Sequence, residues 1–142
     1  MFKLSISVLF LSSLFLFSTS SLAQSDEAPH VIHIQTSKLT ELGDDAEAFG
    51  DMLRRQSEIF NKDPRLINSN VARHYWGNDS RDLVIINEFK NMDDLESFYN
   101  DINSMLEKGM TKEQFDKDNE LWNKHVGMHS DEVYSAVRGT KK

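Results

Sequence analysis

Few side chains in this 142-residue sequence combine reactivity with a position that a fold would hold rigid. His33 is one of them. It stands midway along VIHIQT, residues 31–36, a β-branched and alternating run that predicts a strand. On the face opposite Ile32 and Ile34, an imidazole titrating near neutrality suits a base or a ligand-binding group. The plainer role is a buried histidine hydrogen-bonded across the sheet, to Asn87 for instance. Glu88 is the second candidate, set in the interior of DLVIINEF, residues 82–89. Burial would raise its pKa and make it an acid or base; otherwise it reaches solvent or pairs with an arginine.

A third group is Arg73-His74-Tyr75-Trp76, at the lip of a polar turn. Strand alternation puts Arg73 with Tyr75 and His74 with Trp76 on opposite faces. Aromatic rings with polar tips suit pocket linings and interfaces alike. Arg73, Tyr75 and Trp76 therefore join His33 and Asn87 as ligand-binding candidates, with hairpin and interface packing the simpler role for Trp76. His125 and His129 are four apart, the spacing that puts two imidazoles on one helical face. Gly127 interrupts them and HVGMH lacks the acidic residue of a zinc-protease motif, so no metal site is expected. Asn78-Asp79-Ser80 matches a glycosylation sequon, yet turn chemistry accounts for it. The sequence has no glycine-rich phosphate loop, no nucleophile elbow and no basic-aromatic stripe, and no cofactor is expected.

The elements that must position these groups are legible in outline. MFKLSISVLFLSSLFLFSTSSLAQ has one early cation, Lys3, an apolar core over Ile6–Phe17, and small residues at Ser21 and Ala23. This reads as a signal peptide cleaved between Ala23 and Gln24, its apolar core being short of the roughly 20 residues that span a bilayer. Residues 24–142 then form a single domain, periplasmic or secreted, with 15 Lys and Arg against 23 Asp and Glu once Lys3 is removed. So acidic a balance argues against nucleic acid or an anionic membrane surface as partner. The sequence contains no cysteine, which excludes disulfides and thiolate metal sites.

Within the domain, Asp44-Asp45-Ala46-Glu47 has the form of a capping box opening a helix. Its stripe is Leu42, Ala46, Phe49, Leu53 and Phe60, and it stops near Asn61, ahead of Pro64. Ile67–Trp76 and Asp82–Phe89 predict a hairpin. Asn91 caps a second helix with the stripe Leu95, Phe98, Ile102, Met105 and Leu106, closed by Gly109 as a C′ residue. Thr111 opens a third helix, whose stripe Phe115, Trp122 and Val126 is broken by Gly127. Glu132–Arg138 is the last strand. The order β-α-β-β-α-(α)-β predicts an α+β, ferredoxin-like fold: a four-stranded antiparallel sheet with helices on one face, strands one and three in the middle.

VIHIQT, the hairpin ARHYWGNDSRDLVIINEF and the following KNMDDLESFYNDI together resemble the dimeric α/β-barrel superfamily, which includes antibiotic-biosynthesis-monooxygenase-like and NIPSNAP-like domains. The resemblance spans the mature chain and implies a homodimer in which two sheets pack face to face around a barrel interior. The strand DLVIINEF agrees on its own terms. It is apolar on both faces, with Leu83, Ile85 and Phe89 on one and Val84 and Ile86 on the other, so the side without helices needs a second cover. Haem-degrading members of the superfamily place an asparagine on the first strand, a tryptophan after the third and a histidine on the next helix. This chain has His33 and Gln35, Phe89, and no histidine between His74 and His125. Three expectations follow: an exported homodimeric barrel that binds a small, mostly apolar molecule in its interior without catalysis; a cofactor-independent monooxygenase-like enzyme using His33; or a non-catalytic structural module with a filled interior.

Overall fold

The computed structural model describes residues 28–77, 79–137 and 139–140. The expected signal segment and its cleavage point, Asn78 of the turn and Arg138 lie outside the described residues. The elements are β1 (Val31–Leu39), α1 (Ala46–Phe60) preceded by a 3₁₀ turn at Gly43–Asp45, β2 (Leu66–Arg73), β3 (Asp82–Phe89), α2 (Met92–Gly109), α3 (Lys112–His125) and β4 (Val126–Ser135). They make one antiparallel sheet in the order β2-β3-β1-β4, with β1 and β3 central. This is the ferredoxin-like α+β architecture that the element order predicts.

Register decides which side chains share a face. Val31, His33, Gln35 and Ser37 of β1 lie opposite Phe89, Asn87, Ile85 and Leu83 of β3. His33, Ser37, Asn87, Leu83 and Phe89 in this set are all buried, so this face is the one the helices cover. Ile32, Ile34, Val84, Ile86 and Glu88 point the other way. The helix-side core is divided. One cluster comprises Leu39, Leu42, Phe49, Met52 and Leu83; the other, Leu66, Phe89, Leu95 and Phe98.

Several boundaries differ from the sequence reading, each for a physical reason. Strand β2 stops at Arg73 rather than Trp76, because its ladder with β3 ends at the Arg73–Leu83 pair. Gly77 has φ +142°, and a Cβ there would meet the His74 ring at 2.9 Å, so the approach to the turn requires glycine. Strand β4 begins at Val126, six residues early, because α3 runs straight into it through an extended C-cap. The helix stripe is also rotated: Met52 is fully buried beside Phe49, while Ala46 is exposed.

Two capping expectations fail and two hold. Asn91 accepts from the Asp94 backbone N–H at 2.8 Å, and Thr111 accepts from that of Gln114 at 3.2 Å. Asp44, the expected N-cap, lies in the 3₁₀ turn; Asp45 takes the N-cap position of α1 without a cap bond, its carboxylate accepting instead from His125 Nε2 at 2.8 Å and Lys124 Nζ at 2.6 Å. Gly109 is the last residue of α2 rather than a left-handed C′ residue. Its role is close packing, since a Cβ there would lie 2.7 Å from Ile59 of α1.

Candidate functional site

Between the two core clusters, sheet and helices flank a partly open cavity of about 280 Å³. Its walls adjoin both clusters: Leu53 and Trp122 pack on the first, Phe60 and Ile102 on the second. Val71 and Ile85 supply its floor from β2 and β3. The polar lining consists of amides and hydroxyls, among them Gln35, Asn87, Tyr99, Asn103 and Asn119, and no lining residue carries a full charge at neutral pH. Such a space accepts an uncharged molecule with apolar faces and a few hydrogen-bonding groups.

The polar wall is organised as a chain of hydrogen bonds. Ser69 Oγ donates to Asn87 Oδ1 at 2.7 Å, which orients the amide. Asn87 Nδ2 then donates to the Tyr99 hydroxyl at 2.9 Å. With that oxygen accepting, the Tyr99 O–H is directed at His33 Nδ1, 2.6 Å away. Nδ1 being the acceptor, the ring proton sits on Nε2 and is donated to Asp131 Oδ1 at 3.0 Å. The second oxygen of Asp131 lies 2.7 Å from His129 Nδ1. Burial pushes the Tyr99 phenol up, opposed by the Asn87 bond and assisted by the charge of Asp131, so it holds its proton at neutral pH. The His33 and Tyr99 rings meet edge to face at 4.8 Å.

Tyr99 and Gln35 line both of two adjoining spaces. On one side is the cavity; on the other, a more open groove lined by His33, Glu96, Asn100, His129 and Asp131. The chain from Ser69 to Asp131 therefore runs from the cavity wall to the groove.

The sequence candidates are distributed unevenly around this site. Asn87 lines the cavity, and His33 stands directly behind it, inside the protomer and not on the opposite sheet face. Asn87 does not bond His33 directly; Tyr99 comes between them. Glu88 points to the other face, beside His30 Nδ1 at 2.7 Å, so Glu88 and His33 share no site. Arg73 is exposed at the end of β2, and Tyr75 and Trp76 are almost fully exposed beyond it; none of the three lines the cavity or the groove. His125 is buried against Asp45 and Thr40, while His129 belongs to β4, so the pair does not share a helical face. Among the described residues, no group of three or more His, Asp or Glu side chains is arranged to hold a metal ion.

Sequence reasoning passed over Tyr99 and Asp131. Tyr99 had a signal: it is four residues after Leu95, at the edge of the α2 stripe, where a ring with a polar tip straddles core and cavity. Asp131 had none, because only the pairing of Gln35 with Asp131 brings it within reach of His33.

Solved structures resemble this chain in fold. SnoaB, a cofactor-independent oxygenase from Streptomyces nogalater, superposes with a TM-score of 0.51 at 12% identity, over 81% of this chain and 100% of its own. A candidate antibiotic biosynthesis monooxygenase from Nitrosomonas europaea gives 0.55 at 13% identity, over 80% and 96%. A conserved protein from Methanosarcina mazei Go1 gives 0.54 at 11% identity, over 77% and 94%. No protein-family model and no curated protein sequence matches the chain. What these structures share with this chain is the fold, the ferredoxin-like sheet with helices on one face.

Proposed function

We propose that this protein is an exported homodimer whose protomers each hold a small, neutral, largely apolar molecule between sheet and helices. The observation that carries the reading is the cavity itself: about 280 Å³, apolar on most sides, with amide and hydroxyl groups and no charge on its lining. That volume argues against the filled structural module. Homodimerisation is supported by the second sheet face, where Ile32, Ile34, Val84 and Ile86 form an apolar strip on the side without helices. Export rests on the leader-like residues 1–23.

A second reading is favoured by one specific arrangement. His33 is bonded to Tyr99, a wall of the cavity, so the same site suits a cofactor-independent enzyme in which His33 handles a proton. SnoaB is a cofactor-independent oxygenase with this fold.

Native mass spectrometry of the protein purified from an exporting host tests the first reading. The expected result is twice the monomer mass plus a small mass that denaturation releases. A bare dimer, with the cavity also refusing neutral aromatic probes in solution, would overturn the binding role. A monomer would overturn the dimer.

A further inference from the structure

We propose that Thr40, His125 and Asp45 form a hydroxyl–imidazole–carboxylate site in which Thr40 takes an acyl group from an activated carboxylic ester. The site is separate from the cavity: none of the three residues lines it or the adjoining groove.

Folding assembles the site from the ends of three elements. Thr40 directly follows β1, His125 is the last residue of α3, and Asp45 is the N-cap of α1. Thr40 N–H donates to His125 O at 2.8 Å, which clamps the two backbones together. The His125 ring meets the fully buried Phe49 edge to face at 5.9 Å, so the core fixes the imidazole.

The hydrogen bonds assign the roles. The Asp45 carboxylate can only accept, so it takes a proton from His125 Nε2, 2.8 Å away. Lys124 Nζ, bonded to the same oxygen, and His125 hold the Asp45 carboxyl below its usual range, which keeps it ionised. In the neutral ring Nδ1 is then an acceptor, and the Thr40 hydroxyl lies 2.9 Å from it. The competing acceptor, Lys124 O, is at 3.4 Å and makes the weaker bond. Nucleophile, base and orienting carboxylate thus stand in sequence. His125 is 3% exposed whereas Thr40 is exposed, so the base is screened from water and the hydroxyl is open to a substrate.

Acyl transfer balances on these groups alone. Thr40 Oγ1 bonds to the ester carbonyl carbon as its proton passes to His125 Nδ1. The bond from that carbon to the alkoxy oxygen then breaks, and the imidazolium gives its proton to the departing alcohol or phenol. Water attacks the Thr40 ester by the same route, releasing the carboxylic acid and restoring the hydroxyl. The transient imidazolium is favoured by Asp45 and by the C-terminal end of α3, and opposed by Lys124.

With 4-nitrophenyl acetate, the expected result is a burst of 4-nitrophenol of about one equivalent per chain, followed by slow turnover. Peptide mapping should place the acetyl group on Thr40. The burst should be abolished in Thr40→Ala and kept in Thr40→Ser. Asp45 is a positioning residue, so Asp45→Asn should slow the burst by about tenfold or more at unchanged amplitude, through the wrong ring tautomer. Asp45→Glu should recover part of that rate. His125→Gln should remove the burst; if circular dichroism shows this buried change to unfold the chain, the Asp45 variants decide the role of the base. Acetyl groups on lysines alone, or a burst that survives Thr40→Ala, would overturn the nucleophile. An unchanged rate in Asp45→Asn would overturn the assisted hydroxyl and leave only a structural latch between β1, α1 and α3.

Discussion

Replacing Tyr99 with phenylalanine removes one oxygen and should cost far more than the loss of one surface hydroxyl. That oxygen accepts from Asn87 and donates to His33, and both partners are more than nine-tenths buried. In Tyr99→Phe, Asn87 Nδ2 loses its acceptor and His33 Nδ1 its donor. A buried group left unpaired costs about 1–3 kcal/mol, so two would give about 2–6. The upper half is excluded because Asn87 borders the cavity, where water can enter and bond it, and His33 keeps Asp131. We expect about 2–3 kcal/mol, read from urea unfolding by linear extrapolation, with a fall in Tm of about 10 °C. A double-mutant cycle with His33→Leu sharpens the test: removing both partners should cost less than the sum, with a coupling of about 1 kcal/mol or more. A single-mutant loss below about 0.5 kcal/mol, with full additivity, would refute the claim that these groups depend on one another.

Other consequences can be checked in the same unfolding assay. Gly109→Ala would ordinarily stabilise a helix by up to about 1 kcal/mol, but the new methyl meets Ile59 at 2.7 Å, so a net loss of about 1–2 kcal/mol is expected, relieved by adding Ile59→Val. Asp118 is fully buried and takes bonds from Arg55 Nη2 at 2.5 Å and Gln114 Nε2 at 2.8 Å; Asp118→Ala should cost about 2–3 kcal/mol, below the full figure for a broken buried pair because Arg55 reaches solvent. Lys124 and His125 hold the Asp45 carboxyl below the usual carboxylate range, and Arg65 does the same for Asp63. A lowered folded pKa means stability that is complete above the unfolded value, about 3.9, and lost as pH falls through the folded one. The urea midpoint should therefore drop steeply below pH ~4 and less steeply in Asp45→Asn, and an unchanged acid limb in that variant would contradict the assignment. Ile34→Asp, on the sheet face without helices, should convert the proposed dimer to monomer by light scattering while leaving the fold intact by circular dichroism.

The sequence alone determined the elements and the order in which they join. Period-two alternation in VIHIQT and DLVIINEF, the 3.6-residue stripes of α1 and α2, and the caps at Asn91 and Thr111 are local properties that each segment carries with it. Right-handed crossovers then leave one economical arrangement, with β1 and β3 in the centre. What only the tertiary structure decided is everything that depends on distant residues meeting. Both faces of the central strands are apolar enough to be buried, so alternation says that His33 and Ile34 part company but not which of them the helices cover. Asp44 has the form of a cap, yet α1 takes Asp45 as its N-cap, and that carboxylate is drawn away by Lys124 and His125, some 80 positions later. Gly109 is explained by the proximity of Ile59, not by its own backbone. The chain of bonds from Ser69 to Asp131 takes residues from all four strands and α2, and its direction follows from donors and acceptors that only folding brings into line.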